Sequence, residues 1–448
     1  MKGNLLLIVF SLLCITSVSN AVNIIYVDVD GPNEPGGGTI DNPFRKIQDA
    51  IGTAIDGDII EVRPGIYTGE GNYDLNPGGK SITIRSINPE DPNITANTVI
   101  DPNGAGRGIY FVSEEDPNCV VSGFTIRNGY AASGSGGGIY CDGSSPSIIN
   151  CTIASCTADF YGGGIYCYNS SNLRLTGCTI TDNSAGDGGG IECELSSPQL
   201  TNCIINNNQT ILHGGGVDCY NLGNPILTNC TIVKNSADVG GAVCLRGSDV
   251  SIKNSILCAN EAVIGEQLAL LYLNSTSYGS STLVDYCNVR DGQTRVSVDP
   301  DCALIWGAGN IDVDPNFASF NPGGDHNLWD FHLQSAYGRW NPKGQTWVND
   351  PNTSACIDAG DPNSDWASEP WPNGKRINMG AYGGTNQASK NGNPADFDVN
   401  GVVNVVDFAK FSLKWFAEEY CIEDLTGNRE VDFADLIVFV ENWLWQNQ

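Results

Sequence analysis

Short runs of apolar residues alternate with polar residues and return every 26 residues through the middle of the chain. Each run begins with glycines. The first reads Gly136-Gly-Gly-Ile-Tyr-Cys141, and further copies start at Gly162, Gly188, Gly214 and Gly240. A fixed period of this length is typical of repeat proteins, in which each unit stacks on its neighbours because it cannot bury a core alone. The pattern therefore predicts a solenoid.

Aligned by this period, the residues fall into columns. Two aliphatic columns consist of Ile148, Leu175, Leu200, Leu227 and Ile252, and of Ile153, Ile180, Ile205, Ile232 and Leu257. Two asparagine columns consist of Asn150, Asn202, Asn229 and Asn254, interrupted by Gly177, and of Asn183, Asn208, Asn235 and Asn260. We expect the coils to stack at about 4.8 Å per rung. Stacked asparagines then hydrogen-bond from rung to rung at the turns.

Cysteines form two further columns that are predicted to face inward. They are Cys141, Cys167, Cys193, Cys219 and Cys244, and Cys151, Cys178, Cys203 and Cys230. The last motif, Gly240-Gly-Ala-Val-Cys244, is interpreted as a shortened copy. The rung spacing permits vertical disulfides, but five cysteines cannot all pair and identical small side chains stack well. Buried thiols are therefore favoured, with disulfides as the alternative.

Less regular elements flank the repeats. An amphipathic helix is predicted over residues 44–55, where it is well placed to cover the open first edge of the sheet. Looser strands are predicted over residues 268–273, 283–289 and 331–333. Proline, glycine, asparagine and tryptophan around residues 340–390 predict a loop-rich C-terminal cap, and residues 387–394 a linker.

Residues 22–386 are assigned to one domain that resembles the right-handed parallel β-helix of the pectate-lyase-like superfamily. The resemblance rests on the glycine-led repeats, on the opening motif Gly57-Asp-Ile-Ile-Glu-Val-Arg-Pro-Gly-Ile-Tyr67 and on Cys356-Ile-Asp-Ala-Gly-Asp361 near the end. It implies a mainly β fold with an N-terminal capping helix and a role with polysaccharide. The reaction stays open, because this fold hosts lyases, hydrolases and adhesins.

Composition and the N-terminal segment indicate the location of the protein and exclude some classes of partner. Residues 1–21 resemble a secretory signal, with Lys2, an apolar run over residues 5–13 and a cleavage site after Ala21. We therefore expect a secreted or cell-surface protein, and a monomer. No segment is long enough to span a membrane. The formal net charge of -29 disfavours nucleic acid as a partner.

The outward positions after the glycine triplets carry the candidate chemistry of the repeats. Their columns hold Tyr140, Tyr166, Glu192 and Asp218, and Asp142, Tyr168, Glu194 and Tyr220, with Asp187 and His213 just before two triplets. Carboxylates act as acid and base on glycosidic bonds or bind calcium, and tyrosine faces suit sugar rings. The catalytic candidates are Glu192, Asp218 and Glu194; the substrate-binding candidates are Tyr140, Tyr166, Tyr168, Tyr220 and His213.

A solvated acidic face with a few aromatic residues explains the same columns without any catalysis. The repeats lack the paired aspartates and the Gly-His-Gly motif of related polygalacturonases. Four cations, Arg174, Lys234, Arg246 and Lys253, are available as a base of the pectate-lyase kind, and no motif selects one of them. The sequence therefore does not establish an enzyme.

Residues 395–448 form a separate module with two acidic loops 28 residues apart. The expected calcium ligands are Asp396, Asp398, Asn400, Val402, Asn404 and Asp407 in the first loop, and Asp424, Thr426, Asn428, Glu430, Asp432 and Asp435 in the second. Oxygen ligands at positions 1, 3, 5, 7, 9 and 12 around a sixth-position glycine are the pattern of a calcium loop. Apolar helices are predicted to follow over residues 408–416 and 436–444.

The two loop-helix units resemble a type I dockerin module, which implies calcium as a cofactor and a cohesin-like protein as partner. Arg429 replaces the sixth-position glycine and Thr426 replaces a carboxylate or amide, so we expect the second loop to bind calcium more weakly. At the positions that a dockerin uses to choose its cohesin stand Val405, Val406, Phe433 and Ala434, which are more apolar than the usual hydroxyls.

Two functions follow from this sequence. In the first, the β-helix binds or degrades an extracellular polysaccharide and the C-terminal module attaches it to an extracellular assembly. In the second, the β-helix is a non-catalytic rod in a surface or adhesion protein.

Overall fold

The computed structural model describes residues 22–32, 34–273, 278–416, 421–426 and 428–446, so the predicted signal segment lies outside the described residues. Most of the chain winds into a parallel β-helix of about nine turns. The coils contribute strands to four parallel sheets, which are numbered here in the order in which a repeat passes through them.

The first and second sheets begin each repeat. The first sheet follows the glycine triplets and comprises Ile109–Phe111, Ile139–Asp142, Ile165–Tyr168, Ile191–Glu194, Val217–Tyr220, Val243–Arg246, Leu268–Leu271 and Val296–Val298. The second sheet comprises Ile24–Val27, Ile59–Val62, Thr83–Ser86, Val120–Ser122, Ser147–Ile149, Arg174–Thr176, Gln199–Thr201, Ile226–Thr228, Asp249–Lys253, Ser281–Asp285 and Ala303–Trp306.

The third and fourth sheets complete the coil. The third sheet comprises Gly65–Tyr67, Thr98–Ile100, Thr125–Arg127, Thr152–Ala154, Thr179–Thr181, Ile204–Asn206, Thr231–Val233, Ile256–Cys258 and Asn288–Val289. The fourth sheet comprises Tyr130–Ala131, Thr157–Ala158, Ser184–Ala185, Gln209–Thr210, Ser236–Val239 and Glu261–Ile264. The predicted strand over residues 283–289 is thus two strands of different sheets.

The predicted aliphatic columns lie in register and fill the core. Ile148 pairs with Leu175, and Leu175 with Leu200, while Ile153 pairs with Ile180 in the third sheet. All members of both columns are fully buried. One inward side chain per strand therefore stacks on its equivalent in the next coil, as the period predicts.

Cys244 was predicted in the inward cysteine column, and this is wrong. Val243 pairs with Val217, Cys244 with Asp218, and Leu245 with Cys219. The fifth motif is not shortened, because Ala242 takes the place of the third glycine and the alternation of the strand then turns Cys244 to the outward column. Leu245 fills the core position instead and is fully buried.

All cysteines in the described ranges are free thiols, which confirms the favoured thiol columns over disulfides. All of them except the half-buried Cys302 and Cys421 are buried, and several thiols approach backbone carbonyl oxygens, as Cys203 Sγ does at 3.4 Å from the oxygen of Thr201. Burial raises the pKa of the Cys119 and Cys156 thiols to about 12. These side chains thus serve as small apolar core residues.

The column of Asn183, Asn208, Asn235 and Asn260 forms the predicted hydrogen-bonded ladder. The backbone N–H and the side-chain Nδ2 of Asn183 both donate to Oδ1 of Asn208, at 3.0 and 2.9 Å. The same pair of bonds joins Asn208 to Asn235 and Asn235 to Asn260. Asn208 Nδ2 also donates to the carbonyl of Ile180 at 2.9 Å, so each carboxamide spans neighbouring rungs.

The other asparagine column was predicted to form the same ladder, and for most of its length it does not. Its members take left-handed backbone angles at the turn between the second and third sheets. Asn202 Nδ2 donates to the carbonyls of Ala381 and Gly383, at 2.9 and 2.7 Å, and Asn229 Nδ2 donates to the carbonyl of Asn378 at 3.0 Å. Carbonyl groups of a C-terminal segment therefore accept the hydrogen bonds that were predicted to join neighbouring rungs.

That segment, residues 312–394, is called the C-terminal extension. Residues 331–333 were predicted as a strand of the coil, but Asp330–Leu333 instead pairs antiparallel with Phe317–Ser319. A second hairpin joins Arg339–Asn341 to Thr346–Val348. The extension packs Phe317, Phe331, Cys356 and Met379 against outward residues of the third sheet, Val233, Ile256 and Cys258. It therefore lies along the side of the coils.

The predicted linker, residues 387–394, contains several packed residues. Ala388, Ser389 and Asn393 are buried. The hydroxyl of Ser389 donates to the carbonyl of Leu333 at 2.5 Å, and Trp371 Nε1 donates to the carbonyl of Pro394 at 2.8 Å. These polar groups of the segment therefore hydrogen-bond to other residues of the extension.

The helices are short. The first, Ile47–Thr53, is shorter than the predicted one because Phe44 bridges to Val27 in extended conformation. It buries Ile47, Ala50 and Ile51 against the core, and its role as an end cap stays a prediction. The others are Pro92–Asn97, Val405–Leu413 and Phe433–Glu441, with short 3-10 turns at Gly292–Arg295 and His326–Leu328. Within the described ranges, no helix has the length and hydropathy needed to cross a membrane.

We expect Asn208→Ala to lower the free energy of unfolding by about 2–4 kcal/mol, because each buried polar group left without a partner costs about 1–3 kcal/mol. Asn208 is fully buried, and its removal strands donors and acceptors on both neighbouring rungs. Urea unfolding followed by circular dichroism measures the change. The control is Gln209→Ala on the exposed side of the same turn, expected within about 0.5 kcal/mol of the parent. Equal effects of the two substitutions would contradict a stabilising ladder.

Candidate functional site

The outward columns of the first sheet stack in register, as predicted. One column runs Tyr140, Tyr166, Glu192, Asp218 and Cys244, and the other runs Asp142, Tyr168, Glu194, Tyr220 and Arg246. The structure therefore brings the predicted catalytic and substrate-binding residues onto one surface, which is called the first-sheet face.

Tyrosines form a stacked row along one half of this face. Ring centroids lie 4.9 Å apart between Tyr110 and Tyr140, 5.6 Å between Tyr140 and Tyr166, and 5.9 Å between Tyr166 and Tyr168. Arg107 lies over Tyr110 and Tyr140, 5.3 Å from each centroid. Tyr110 was not among the predicted residues, although it occupies the Tyr140 position one rung earlier.

Arg246 is the cation that the structure selects from the four candidates in the sequence. Its guanidinium binds the Asp218 carboxylate and lies 3.4 Å from Asp187 Oδ2 and 3.6 Å from Glu192 Oε1. The group also lies over the Tyr220 ring, 4.7 Å from the centroid. Only 14% of the Arg246 side chain is exposed. One arginine thus lies against three buried carboxyl groups from the two preceding rungs.

His213 and Asp187 form a second contact at the edge of this cluster. His213 Nδ1 lies 2.8 Å from Asp187 Oδ1, and the His213 backbone N–H donates to the same oxygen at 3.0 Å. Burial acts to raise the pKa of Asp187, but the His213 hydrogen bond and the Arg246 charge outweigh it and lower that pKa. Asp187 therefore holds the imidazole in place as a carboxylate.

Glu192 is a buried carboxyl of this cluster whose pKa is raised. Burial and then the charge of Asp218 raise its pKa well above the ordinary range, and Arg246 acts in the opposite direction. Its Oε2 is buried and has no hydrogen-bond partner among the described residues. A carboxyl that stays protonated next to an ionised one is the electrostatic arrangement that general acid catalysis uses.

The exposure of the predicted residues divides them into two layers. Glu192 and Asp218 are 1% and 0% exposed, and both lie beneath Arg246. Glu194, which accepts a hydrogen bond from the Tyr166 hydroxyl at 2.7 Å, is half-buried. The other half-buried members of the face are Tyr140, Tyr168, Tyr220 and His213. Tyr166 is buried at 6% exposure, so a ligand on the face meets the half-buried tyrosines, Glu194 and His213 before it reaches Tyr166 or the buried pair.

The first acidic loop of the C-terminal module gathers carboxylates. Oxygens of Asp396, Asp398 and Asp407 all lie within 4.8 Å of one another. Asp396 accepts the backbone N–H of Asn400 and of Gly401, at 3.2 and 2.8 Å, and Gly401 has a φ of +84°. These are hard oxygen donors around a tight turn, so the residues fit calcium.

The second loop repeats the same backbone hydrogen bonds. Asp424 accepts the N–H of Asn428 and of Arg429, at 3.1 and 2.7 Å. Asp435 accepts the N–H of Thr426 and of Asp432, both at 2.8 Å. Arg429 has a φ of +73° at the position that is glycine in the first loop, so its backbone is strained. That strain agrees with the expectation of a weaker second site.

The remaining predicted ligands lie on the same turns. Asn400 Oδ1 accepts the N–H of Val402 at 2.9 Å, and the Val402 carbonyl accepts Asn404 Nδ2 at 3.1 Å. In the second loop Asn428 Oδ1 accepts the N–H of Glu430 at 2.9 Å. Asn404 and Asp432 cap the helices that follow, which therefore begin three residues earlier than predicted.

Two family models match parts of the chain. Residues 81–257 match the model described as right handed beta helix region, which confirms the predicted right-handed parallel β-helix over those coils. Residues 270–360 match the model described as disaggregatase related, which covers the last coils and the first part of the C-terminal extension. No curated protein matches the chain.

Solved structures that resemble the chain include two lyases. The crystal structure of pectate lyase Pel9A has a TM-score of 0.45 and 15% sequence identity, and the match covers 83% of this chain and 97% of that one. A rhamnogalacturonan lyase has a TM-score of 0.34 and 13% identity, with 74% of this chain and 97% of that one covered.

We expect Glu192→Gln to remove a loss of stability that the parent protein shows as pH rises. Above the ordinary glutamate pKa of about 4.3, the unfolded chain releases its proton while folded Glu192, whose pKa is raised, retains it. The folded state is therefore progressively disfavoured with increasing pH until Glu192 itself ionises. Glutamine resembles the protonated acid and has no such dependence.

Urea unfolding at pH 5 and pH 8 measures this difference. Glu192→Gln is expected to be at least as stable as the parent at pH 8, and the matched control Glu194→Gln, at a half-buried position of the same strand, to keep the parental pH dependence. A parental slope in Glu192→Gln would show that Glu192 is not the group that retains the proton.

Proposed function

We propose that the protein binds an extracellular polysaccharide on its first-sheet face and is attached to an extracellular assembly through a calcium-dependent C-terminal module. The observation that carries the first part is the register of the outward columns, which places stacked tyrosines and the Glu194 carboxylate on one surface. Aromatic faces contact the apolar side of sugar rings, and a carboxylate accepts hydrogen bonds from sugar hydroxyls.

Cleavage is the more demanding form of this proposal. Glu192 has the raised pKa of a general acid, and Glu194 on the same strand would serve as the second carboxylate. A glycosidic bond can reach Glu192 or Asp218 only if Arg246 moves, because both carboxyls are almost fully buried under it. The catalytic roles of Glu192, Asp218 and Glu194 therefore depend on that movement.

The burial of Glu192 and Asp218 favours a second candidate function, a non-catalytic rod of a surface or adhesion protein. In that function Arg246 and its carboxyl groups join three rungs, and the tyrosine row has no part in catalysis. A glycan can still bind to the half-buried tyrosines in this case, but no bond is broken. The two candidates differ in turnover and not in the fold.

Binding and turnover on a panel of polysaccharides separate the candidates. We expect Tyr168→Ala and Tyr220→Ala each to weaken binding by about fivefold, since stacking on one aromatic ring is worth about 1 kcal/mol. Tyr130→Ala, an exposed tyrosine of the fourth sheet, is the matched control and should leave binding unchanged. Affinity electrophoresis measures binding, and assays of reducing ends and unsaturated products measure cleavage.

Two outcomes would change the proposal. A bound glycan that is never cleaved, with Glu192→Gln and Asp218→Asn binding it as the parent does, supports the rod. If no polysaccharide binds, or if Tyr130→Ala has the same effect as Tyr168→Ala, the first-sheet face is not a glycan site.

Calcium is proposed as the cofactor of the C-terminal module. Asp396, Asp398, Asn400, Val402, Asn404 and Asp407 would hold one ion, and Asp424, Thr426, Asn428, Glu430, Asp432 and Asp435 a second, weaker one. Bound calcium would neutralise the clustered carboxylates and fix both loops against their helices. The apolar side chains of Val405 and Phe433 are both 67% exposed at the helix starts. These exposed apolar side chains support a cohesin-like protein as the partner. Secretion is proposed on separate grounds, the predicted cleavage after Ala21.

Calorimetry on the full chain tests the calcium proposal. We expect two binding events of unequal affinity, with Asp407→Asn weakening the tighter event by about tenfold or more because the site loses a charged ligand. Asp435→Asn should affect only the weaker event. Asp238→Asn, an exposed aspartate of the fourth sheet, is the control. If calcium uptake persists in a variant with both Asp407→Asn and Asp435→Asn, the loops are not the site.

A further inference from the structure

Two clefts of about 600 and 510 Å³ lie side by side on the third sheet. Both are lined by Thr179, Ile204, Pro342 and Tyr382, so they form one continuous groove, called the side groove. Its floor is the third sheet. One wall is the segment over residues 89–96 and the other is the C-terminal extension. None of its lining residues belongs to the first-sheet face.

The floor of the side groove is polar where the covered part of the same sheet is apolar. Under the extension, Ile256 and Cys258 are 0% and 4% exposed. In the same two columns of the sheet, the groove presents Thr179 and Thr181, which are half-buried. Two residues depart from this division, Ile204 in the groove and Thr231 under the extension, so hydroxyl groups predominate in the groove and apolar groups beneath the extension. The floor is therefore not a piece of core left uncovered.

A carboxamide of the turn column points to a ligand in this groove. Asn202 and Asn229 use their Nδ2 groups to hold backbone carbonyls of the extension. Asn150 belongs to the same column, lines the groove and is half-buried. Its side chain makes no hydrogen bond within the described ranges. Two members of the column hold a chain segment, and the member beside the open groove has its donors and acceptor available.

Gly177 interrupts the asparagine column at the groove, and the geometry gives a reason. A Cβ at this position would lie 2.3 Å from Oδ1 of Asn150. The φ of Gly177 is +64°, an angle that asparagine adopts elsewhere in the column, so backbone conformation alone does not require glycine here. The missing side chain therefore leaves room for the Asn150 carboxamide.

The walls add flat aromatic rings without a surplus of positive charge. The Tyr382 ring stacks on His332 with centroids 3.5 Å apart, and Trp329 Nε1 donates to the carbonyl of Asn321 at 3.0 Å, so both rings are held in place. The lining carries Arg339 and Lys343 against the acids Glu90, Asp182 and Asp330, and Arg339 pairs with Asp330. The groove therefore does not select an anionic ligand.

We propose that the side groove binds an uncharged oligosaccharide chain, separately from the first-sheet face. Hydroxyl and carboxamide groups both donate and accept hydrogen bonds, so Asn150, Thr152 and Thr179 match a ligand dense in hydroxyls. Tyr382 and Trp329 flank the sugar rings. An extended peptide would instead need apolar pockets for alternate side chains, and the floor offers only Ile204. The inference rests on the proposed polysaccharide function but uses none of its residues.

The test is calorimetry on the full chain with six probes: neutral hexasaccharides of xylose, mannose, glucose and galactose, hexagalacturonate, and a synthetic peptide of residues 376–387. The variants are Asn150→Ala, Gly177→Asn and Thr152→Trp. We expect a neutral hexasaccharide to bind about fivefold more weakly to the first two, since each loses a hydrogen bond of about 1 kcal/mol, and not to bind to Thr152→Trp. Thr157→Trp, an exposed threonine of the same rung on the fourth sheet, should bind as the parent does.

Each outcome decides between the two surfaces. Loss in Thr152→Trp with binding retained in Tyr168→Ala supports the groove even if the first-sheet face fails its own test. The reverse pattern overturns the groove and leaves the first-sheet proposal standing. Binding of hexagalacturonate or of the peptide alone overturns the assigned ligand class, and binding of no probe overturns the groove as a ligand site. Matching melting temperatures of Thr152→Trp and Thr157→Trp exclude a folding defect.

Discussion

Buried asparagine carboxamides hold the coils of this protein in a single register. A carboxamide has two N–H donors and an oxygen acceptor, and in a dry core these need partners at fixed distances. Asn208 finds them in its own equivalents one rung away on either side. A slip of one residue would bury these groups without partners on several rungs at once. The other columns of the coils from Asn183 to Asn260 inherit their alignment from this requirement.

The chemistry of the outer surface follows from that alignment. Side chains that are 26 residues apart in sequence become neighbours on one sheet, so a tyrosine row, a carboxylate group and an arginine succeed one another along the first sheet. In a chain with a formal net charge of -29, a buried arginine shared by Asp187, Glu192 and Asp218 offsets strong local repulsion. Removing water from so many charged groups destabilises the folded state. A cluster without a function would therefore lower stability and give nothing in return.

The repeats could be predicted from the sequence because their contacts are between equivalent positions. A period and an alternation suffice to place Ile148 under Leu175 or Tyr166 beside Glu192. The prediction for Cys244 is wrong because it aligns this cysteine with the other cysteines. Alignment by distance from the glycines places Cys244 one residue earlier in the strand, in the outward column. The two acidic loops could also be predicted from the sequence, because the spacing of their polar residues is local.

The C-terminal extension could not be predicted, because its contacts follow no period. The polar segment after residue 387 looks like a linker, but its side chains hydrogen-bond to the carbonyl of Leu333 and the carboxylate of Asp358, which are near only in the fold. The selection of Arg246 among four cations likewise depends on which carboxylates surround it. The side groove lies between two segments that are far apart in sequence, so no local sequence pattern predicts it.

The return of the extension onto earlier coils also sets an order of assembly. The bonds from Asn202 to the extension join residues up to 181 positions apart, whereas rung-to-rung bonds join residues about one coil apart. Closing so long a loop is entropically costly until its target surface exists. During synthesis the coils therefore have time to stack before the extension leaves the ribosome, and the groove takes shape last. A chain that ends early can still be a rod, but it has only one wall of the groove.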